Sequence, residues 1–301
     1  MVSEVLLYLV TDRRGRYADL TVGGGGHAEA ILDATEGTLI GLDRDPRAVA
    51  RVEERLRRFG DRATVAHGRG GDLGRILAER EIDAVDGVLV DLGLSSDQLA
   101  AGRGFSFERD DAPLDMRFDA GEARPTASEI LADFSPAELA RLWREFGDFS
   151  PPIAQRIARA VVAARTRGPI TQVAALNAAV SPLFPPHQRA HNLARIYQAL
   201  RIQVNDELGE LDRTLAAATT ALRTGGVLCV LAYHSLEDRR VKSLFAPRVP
   251  PRREVPAPPG WSAGPFQALF RRGLRPQAAE VADNPRARSA RLRAGVRTED
   301  R

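Results

Sequence analysis

Four consecutive glycines, Gly23 to Gly26, constrain this chain more than any other stretch. They follow a short apolar segment at residues 16–20 and precede helix-forming residues at 28–34, a pattern that predicts a turn between a first strand and the next helix. Glycine lacks a Cβ atom and readily adopts positive φ, so the backbone N–H groups of such a turn can approach a ligand closely. We therefore predict that the turn binds a cofactor, with Gly23 as one candidate contact.

The same strand-to-helix order continues along the chain. We predict strands at residues 16–20, 38–43, 63–66, 85–91 and 227–232, with helices at residues 45–59 and 73–80 among them. These strands are almost continuously apolar, which is typical of strands buried on both faces of a parallel sheet. The predicted fold class is therefore α/β, with a Rossmann-like doubly wound sheet.

A helical segment interrupts this alternation between the fourth and fifth strands. Residues 103–118 are dense in charged and aromatic side chains, and the pattern from residue 126 onward indicates helices, one of them opened by a capping box of Ser135 and Glu138. Residues 202–222 are predicted as one long helix. We expect a discontinuous sheet domain, residues 1–101 and 200–301, with a helical insert domain at residues 102–199.

The charge is distributed unevenly. The 301-residue chain has a formal net charge of +3, but residues 239–301 contain 15 Lys and Arg against 5 Asp and Glu. Such a segment can face phosphates, with Arg286 and Arg288 as candidate contacts, although a solvated tail has the same composition. No apolar run approaches a membrane span, and a single cysteine excludes an internal disulfide and a multi-cysteine zinc site. We expect a cytoplasmic protein and identify no metal site.

Three acidic residues indicate which cofactor the glycine turn binds. Asp19, Asp43 and Asp91 each end a predicted strand, where ligands of doubly wound sheets bind. The turn also fits a dinucleotide fingerprint, but Asp19 would repel a pyrophosphate. S-adenosylmethionine carries an ammonium and a sulfonium and no phosphate, so it suits three carboxylates better. Asp43, about twenty residues after the turn, is the candidate to bind the ribose hydroxyls of either cofactor.

Several blocks of the chain resemble, in order, a known family of bacterial enzymes. These blocks are residues 19–27, 41–46, 91–99, 103–107, 113–117, 198–208, 233–239 and 284–293. They are similar to the RsmH (MraW) family, whose members use S-adenosylmethionine to methylate N4 of a cytosine in the decoding centre of 16S ribosomal RNA. The resemblance covers nearly the whole chain. It implies a class I methyltransferase fold, and a 16S rRNA or small-subunit substrate.

The resemblance also implies particular cofactor contacts. It implies contacts from Gly25, Gly26 and His27, ribose recognition by Asp43, and further contacts from Asp91 and Gln98. One contact departs from the family pattern. An adenine-pocket phenylalanine usually stands where this chain has Gly70, and Leu73 is the candidate to replace it.

Methylation of an exocyclic amine requires an acceptor for the amine hydrogens, and two candidates remain open. Asp91 ends the fourth strand, whereas Tyr233, His234 and Ser235 leave the fifth strand toward the same crevice. His234 could accept a proton, or it could make only local hydrogen bonds. Methylation at C5 of cytosine would instead need a cysteine nucleophile, and Cys229 lies in the middle of a predicted buried strand.

The remaining candidates concern the RNA. Arg103, Phe105 and Phe107 combine charge with aromatic rings, as RNA-stacking surfaces do, but the same phenylalanines could anchor a core of the insert. Tyr233 could stack on a splayed base, with Ser235 beside it. Two rival functions are a nicotinamide oxidoreductase, for which no catalytic set is evident, and a non-catalytic RNA-binding assembly factor. The sequence is silent on the oligomeric state.

Overall fold

The computed structural model describes residues 1–93, 102–246 and 264–298. The chain divides into two compact units, one formed by Met1–Gly93 and Gly209–Arg301, the other by Leu94–Leu208. The predicted limits lay at residues 101/102 and 199/200, and the second of these falls inside a continuous helix, Pro186–Asn205. The helix ends only where Asp206 adopts a left-handed conformation, with φ of 49°, so the division comes later in the chain than the sequence suggested.

A seven-stranded sheet organises the first unit. The strands are β1 Arg16–Asp19, β2 Thr38–Asp43, β3 Ala63–His67, β4 Val85–Asp91, β5 Leu222–Ala232, β6 Phe266–Ala268 and β7 Arg291–Arg297. Their order is β3-β2-β1-β4-β5-β7-β6. Strands β1 to β5 are parallel, and β7 is antiparallel to both β5 and β6. The predicted Rossmann-like doubly wound sheet is confirmed.

Helices cover both faces of this sheet. The helices of the unit are α1 Val2–Leu9, α2 Gly26–Ala34, α3 Pro46–Leu56, α4 Leu73–Ala78, α10 Glu207–Ala221, α11 Ser235–Phe245 and α12 Ala278–Asp283. Helices α1, α2 and α3 bury apolar side chains in one core, and α4, α10 and α11 contribute to a second core. The strands β1, β2 and β4 and the second half of β5 are mostly buried between the two cores, which explains why they read as continuous apolar runs.

Strands β6 and β7 were missed by the sequence prediction. Residues 291–297 belong to the basic segment 239–301, for which a phosphate-facing surface and a solvated tail were both left open, although Leu292 and Ala294 alternate with its arginines and are buried. Side chains of one strand point alternately to opposite faces, so an alternation of apolar and charged residues, as in residues 291–294, is compatible with a strand. β6 has only three residues, too few to give a pattern.

Residues 102–208, the part of the second unit that the structure describes, contain five helices. They are α5 Ala127–Asp133, α6 Pro136–Glu145, α7 Pro151–Arg165, α8 Val173–Val180 and α9 Pro186–Asn205. The predicted capping box is present, with Ser135 accepting from the backbone N–H of Glu138 and the Glu138 carboxylate accepting from that of Ser135. Ser150 is the N-cap of α7. The helix predicted at residues 202–222 is instead two helices, because the chain turns at Asp206.

A buried asparagine connects the end of α9 to a loop of the second unit. Asn205 is 1% exposed; its Nδ2 donates to Met116 O at 2.7 Å, and its Oδ1 accepts from Phe118 N at 2.9 Å. Met116 has φ of 60°, a conformation that is costly for a residue with a side chain. The two hydrogen bonds hold the loop in this conformation.

Within residues 1–93, 102–246 and 264–298, every helix is too short or too polar to span a membrane.

Candidate cofactor-binding and active site

Three carboxylates lie at the carboxyl ends of adjacent strands, as the sequence predicted. Asp19 ends β1, Asp43 ends β2 and Asp91 ends β4, and β1 lies between the other two strands. The strands are parallel, so all three residues lie at one edge of the sheet. Asp19 is 1% exposed and Asp43 7% exposed, whereas 22% of the Asp91 side chain is accessible. Burying charge at this density is costly unless a cation or a proton compensates.

The glycine turn has two kinds of position. Gly23 and Gly25 adopt positive φ, 51° and 79°, and a Cβ at Gly25 would approach Val52 to 3.2 Å. A Cβ at Gly24 or Gly26 would meet nothing within 4 Å. The first pair is therefore required by backbone conformation, while the second pair leaves open space in front of the turn. This open space is where a bound group could contact the backbone.

Asp43 links the end of β2 to the turn. Its Oδ2 accepts from Gly23 N and its Oδ1 accepts from Asp45 N, both at 2.9 Å. Burial raises the pKa of Asp43, and these two backbone hydrogen bonds act in the opposite direction. A carboxylate oxygen has two lone pairs, so each oxygen of Asp43 retains acceptor capacity for a hydroxyl group.

Asp19 is the most deeply buried of the three carboxylates. Burial raises its pKa to about 7; the positive charge of His27 and a hydrogen bond from Thr21 N oppose this, whereas Asp91 and Asp43 add to it. Asp19 is therefore divided between its protonated and ionised forms near neutral pH. A cationic ligand would favour the ionised form.

Asp91 is held between two side chains. Its Oδ1 accepts a 2.9 Å hydrogen bond from the hydroxyl of Tyr233, and its Oδ2 lies 3.4 Å from His27 Nδ1. Burial opposes the charged form of His27, but its hydrogen bond to Asp91 and the charges of Asp91 and Asp19 outweigh burial and raise its pKa. Burial and the neighbouring Asp91 raise the pKa of Tyr233 far above its usual value, so it remains a neutral donor. These contacts fix the orientation of the Asp91 carboxylate.

The other ring nitrogen of His27 has no protein partner. His27 Nε2 is buried and makes no hydrogen bond within residues 1–93, 102–246 and 264–298. Buried polar atoms are nearly always hydrogen-bonded, so an unpaired one indicates an absent ligand or water. Beside the open glycines, this atom is the second sign of a bound group.

His234 has a structural role at the start of α11. It is the N-cap residue, and its Nδ1 accepts from Glu237 N at 3.4 Å. The Glu237 carboxylate accepts from the backbone N–H groups of Tyr233 and His234 in return. Ser235 follows as the exposed first residue of the helix. Of the two predicted proton acceptors, the structure therefore brings Asp91 into the acidic cluster and makes His234 a capping residue.

The predicted replacement for the missing aromatic contact is wrong. Leu73 is completely buried in the core between the sheet and α4, so it has no surface for a ligand. Gly70 is required by packing, since a Cβ there would lie 2.5 Å from the side chain of Thr214 on α10. An aromatic residue at position 70 is thus incompatible with this arrangement. Gln98 lies outside the described residues.

The aromatic residues proposed for RNA stacking lie in the second unit and pack within it. Phe105 is 7% exposed and stacks on Phe118 with ring centroids 5.4 Å apart. Phe107 is partly buried and makes an edge contact with Tyr197 at 6.0 Å. Arg103 donates to the carbonyl oxygens of residues 117 and 118. The expectation of an aromatic stacking surface is therefore wrong for Phe105, and the core alternative explains it.

The arginines of residues 284–293 are of two kinds, exposed residues and residues that pair with Asp238. Arg286 and Arg288 are exposed in a 3₁₀ turn, Pro285–Ser289. Arg293 is 8% exposed, and its Nε donates to Asp238 Oδ1 at 2.7 Å, while Arg291 Nη1 lies 3.3 Å from Oδ2 of the same carboxylate. Arg291 and Arg293 thus join β7 to α11, and only Arg286 and Arg288 remain as candidate phosphate contacts of this run.

Comparisons with known proteins identify relatives over the full length of the chain. The family model described as "MraW methylase family" matches residues 1–298. A protein of Geobacter sulfurreducens called ribosomal RNA small subunit methyltransferase H is 45% identical over 303 residues, covering 98% of this chain and 96% of that protein. A protein of the same name from Thermomicrobium roseum is 45% identical, covering 99% of this chain and 92% of its own length.

The solved structures that match are more distant in sequence. The crystal structure of an rRNA methylase from Streptococcus thermophilus aligns with a TM-score of 0.43 and 9% sequence identity, covering 99% of this chain and 94% of the other.

Asp19→Asn is expected to stabilise the protein above neutral pH. The folded-state pKa of Asp19, about 7, exceeds the value of about 3.9 for an unfolded chain. Between these values the folded state retains a proton that the unfolded state has lost, so the wild-type free energy of unfolding falls as pH rises. Relative to wild type, Asp19→Asn should gain about 2 kcal/mol between pH 5 and pH 8, measured by urea denaturation.

The matched control is Asp283→Asn, which changes an exposed carboxylate at the end of α12. It should follow the wild-type pH dependence. Parallel stability curves for Asp19→Asn and wild type would contradict the assignment of Asp19 as a carboxylate destabilised by burial.

Proposed function

Because this chain belongs to the MraW methylase family, we propose that it methylates the N4 amine of a decoding-centre cytosine in the 16S rRNA of the small ribosomal subunit. It is a methyltransferase, and its cofactor is S-adenosylmethionine. The relatives from Geobacter and Thermomicrobium, named as small-subunit ribosomal RNA methyltransferases, support the RNA substrate. The single observation that carries the proposal is the carboxylate of Asp91, held by His27 and Tyr233 beside an open glycine turn.

The residues at the sheet edge fit this cofactor. Asp43 would bind the ribose hydroxyls through its remaining lone pairs, and the open side of Gly24 and Gly26 would receive the cofactor against the backbone. Asp19 would compensate a cationic group of the amino-acid portion. A pyrophosphate at the same edge would meet three carboxylates, so the site disfavours a nicotinamide dinucleotide.

When bound, S-adenosylmethionine supplies a methyl group activated by its sulfonium. The cytosine N4 atom gains that methyl group and loses one proton, because an amine that kept the proton would be left cationic. Asp91 is the group best placed to accept the hydrogen bond from N4 and then its proton. Tyr233 and His27 orient the Asp91 carboxylate in advance, so less reorganisation is required when charge develops on the amine.

Cys229 argues for amine methylation over methylation at ring carbon C5. The thiol is 0% exposed within β5, and burial raises its pKa far above its usual value. C5 methylation uses a thiolate that adds to the ring, and a buried neutral thiol cannot do this. Amine methylation needs no covalent adduct with the enzyme.

We further propose that the second unit recognises RNA, that Arg286 and Arg288 contact phosphates, and that the protein acts in the cytoplasm. Shape and single-stranded segments dominate RNA recognition, and exposed arginines supply the sequence-independent part of the affinity. A non-catalytic assembly factor would share these RNA contacts, so the two functions differ only in whether methyl transfer occurs.

Nucleoside mass spectrometry of 16S rRNA tests the proposal. Cells that lack this protein should lose N4-methylated cytidine, and cells that carry an Asp91→Asn copy at normal abundance should lack it as well. Restored methylation with the Asp91→Asn copy would contradict the role of Asp91. An unchanged nucleoside profile in the absence of the protein would overturn the proposed function.

Asp91 and His234 should differ in kinetic effect. Asp91→Asn removes the proton acceptor but keeps its hydrogen-bonding shape, so kcat should fall by about 10² to 10⁴. His234→Ala should lose the helix cap, lower the free energy of unfolding by about 1 kcal/mol, and reduce methylation much less. Single-turnover methyl transfer into isolated small subunits and thermal denaturation distinguish these outcomes. Equal losses of turnover in two well-folded variants would refute the division of roles.

Two glycine variants test whether the open side of the glycine turn binds the cofactor. Gly26→Ala introduces a methyl group into open space, so the stability should be preserved while calorimetric affinity for S-adenosylmethionine falls by about tenfold or more. Gly25→Ala should instead destabilise the fold by about 1 kcal/mol or more, because φ is 79° and Val52 is in contact. Unchanged cofactor affinity in Gly26→Ala would show that the open side of the turn is not the binding surface.

A further inference from the structure

Strand register connects the acidic site to the basic C-terminal segment within the first unit. Asp91 on β4 pairs with Leu231 on β5, Leu231 pairs with Leu292 on β7, and Leu292 forms a bridge with Leu274. These four residues form a row across the sheet. Adjacent strands are about 4.8 Å apart, so Leu274 lies roughly 14 Å from Asp91. The chain around Leu274 therefore lies at the same edge of the sheet as the reacting site.

A short protrusion interrupts this pairing beside β7. Leu269 N donates to Ala294 O and Leu274 N donates to Leu292 O, both at 2.9 Å. The two acceptor residues, Leu292 and Ala294, are only two positions apart on β7, whereas the two donors are five positions apart. Residues 270–273 between the donors therefore cannot all pair with β7 and bulge outward. Phe270 packs edge-on against Tyr8 with centroids 5.2 Å apart. The protrusion is thus anchored on both sides and presents its middle residues from a fixed base.

Arginines occupy this protrusion and the turns next to it. Arg271, Arg272, Arg275 and Arg288 are exposed, and none of the four has a hydrogen bond or ion pair with another described residue. In residues 264–298 there are eight arginines and two acidic residues. One of these acids, Glu280, is paired with the N-terminal ammonium of Met1. The local positive charge is therefore not neutralised within the described part of the chain.

The arginines of β7 differ from the four exposed arginines because they are paired with a carboxylate. Arg291 and Arg293 share the carboxylate of Asp238 and are committed to joining β7 to α11. The four exposed arginines have no such carboxylate partner among the residues that the structure describes. Holding several unpaired cations on an anchored protrusion is disfavoured by self-repulsion unless an anionic partner binds there.

We propose that Arg271, Arg272, Arg275 and Arg288 form a phosphate-binding surface for single-stranded RNA on one side of the nucleotide held at Asp91. This inference rests on the proposed function for the identity of the nucleotide, but the surface itself depends only on the register and the charges. A strand of RNA whose base reaches Asp91 must continue past the sheet edge, and a basic groove or ridge that follows the backbone binds it without reading sequence. The ordering β4-β5-β7 places these cations on the β5 side of the site.

The test compares two charge-neutralised variants of the full chain. Arg271→Gln/Arg272→Gln/Arg275→Gln removes three cations of the surface. Arg13→Gln/Arg14→Gln is the control; these exposed residues precede β1 at the opposite edge of the sheet. Fluorescence anisotropy with a labelled single-stranded RNA oligonucleotide from 50 to 300 mM KCl gives Kd and its salt dependence, and calorimetry gives the affinity for S-adenosylmethionine.

The triple variant should bind the oligonucleotide about tenfold more weakly at 100 mM salt, with the slope of log K against log salt reduced by about 2, since each phosphate contact contributes about 0.7 on single strands. Its affinity for S-adenosylmethionine and its kcat at saturating RNA should be unchanged. The control should keep the wild-type slope. Equal slopes for the triple variant and wild type would overturn the proposal, as would an equal loss in the control.

The outcomes also separate this proposal from the proposed function. A wild-type protein that binds the oligonucleotide with the expected slope but leaves small subunits unmethylated would refute the methylation proposal alone. If the wild-type protein methylates small subunits and the triple variant does so with the same KM, the phosphate surface alone is refuted. Stronger loss of binding to anionic phosphatidylserine vesicles than to RNA would assign the surface to lipid and overturn it as well.

Discussion

The parallel register of β2, β1 and β4 is the constraint on which the site depends. It brings the carboxylates of Asp19, Asp43 and Asp91 to one edge of the sheet, with Asp19 between its neighbours and almost completely buried. Burial and the charges of Asp91 and Asp43 raise the pKa of Asp19, and the protein reduces the cost of the cluster with backbone N–H groups, with His27 and with a proton on Asp19 near neutral pH. A bound cation would relieve the same repulsion. The free energy that this repulsion costs in the free protein would then contribute to the affinity for a cationic ligand.

The glycine turn and the carboxylates act on the same space. Gly23 and Gly25 allow the chain to reverse closely enough for Gly23 N to reach Asp43, while Gly24 and Gly26 leave the front of the turn open. Helix α2 begins immediately afterward and carries His27 to Asp91. One local feature of the sequence therefore sets the backbone of the turn, the hydrogen bond to Asp43 and the position of His27, one of the two groups that orient Asp91.

Strand β7 makes two separate structural contributions. Its alternate residues complete the apolar core beside β5, while Arg291 and Arg293 hold Asp238 on α11. Because β7 runs antiparallel to β5, the residues that precede it arrive at the edge of the sheet where Asp91 lies. A segment that reads in the sequence as one basic tail thus contains a structural strand, and its exposed arginines lie outside that strand.

The residue pattern alone was enough to predict a doubly wound sheet containing β1 to β5, the glycine turn, the acidic strand ends and the helical insert, because period, glycine content and strand-terminal charge are local signals. It did not determine β6 and β7, the break at Asp206, or the roles of Phe105, Leu73 and His234. Those depend on which side chain lies opposite in space: Phe118 against Phe105, Thr214 against Gly70, and Tyr233 with His27 on Asp91. Residues distant in the chain supply these partners, and only tertiary packing decides whether an aromatic ring or a histidine serves the core, a helix cap or a ligand.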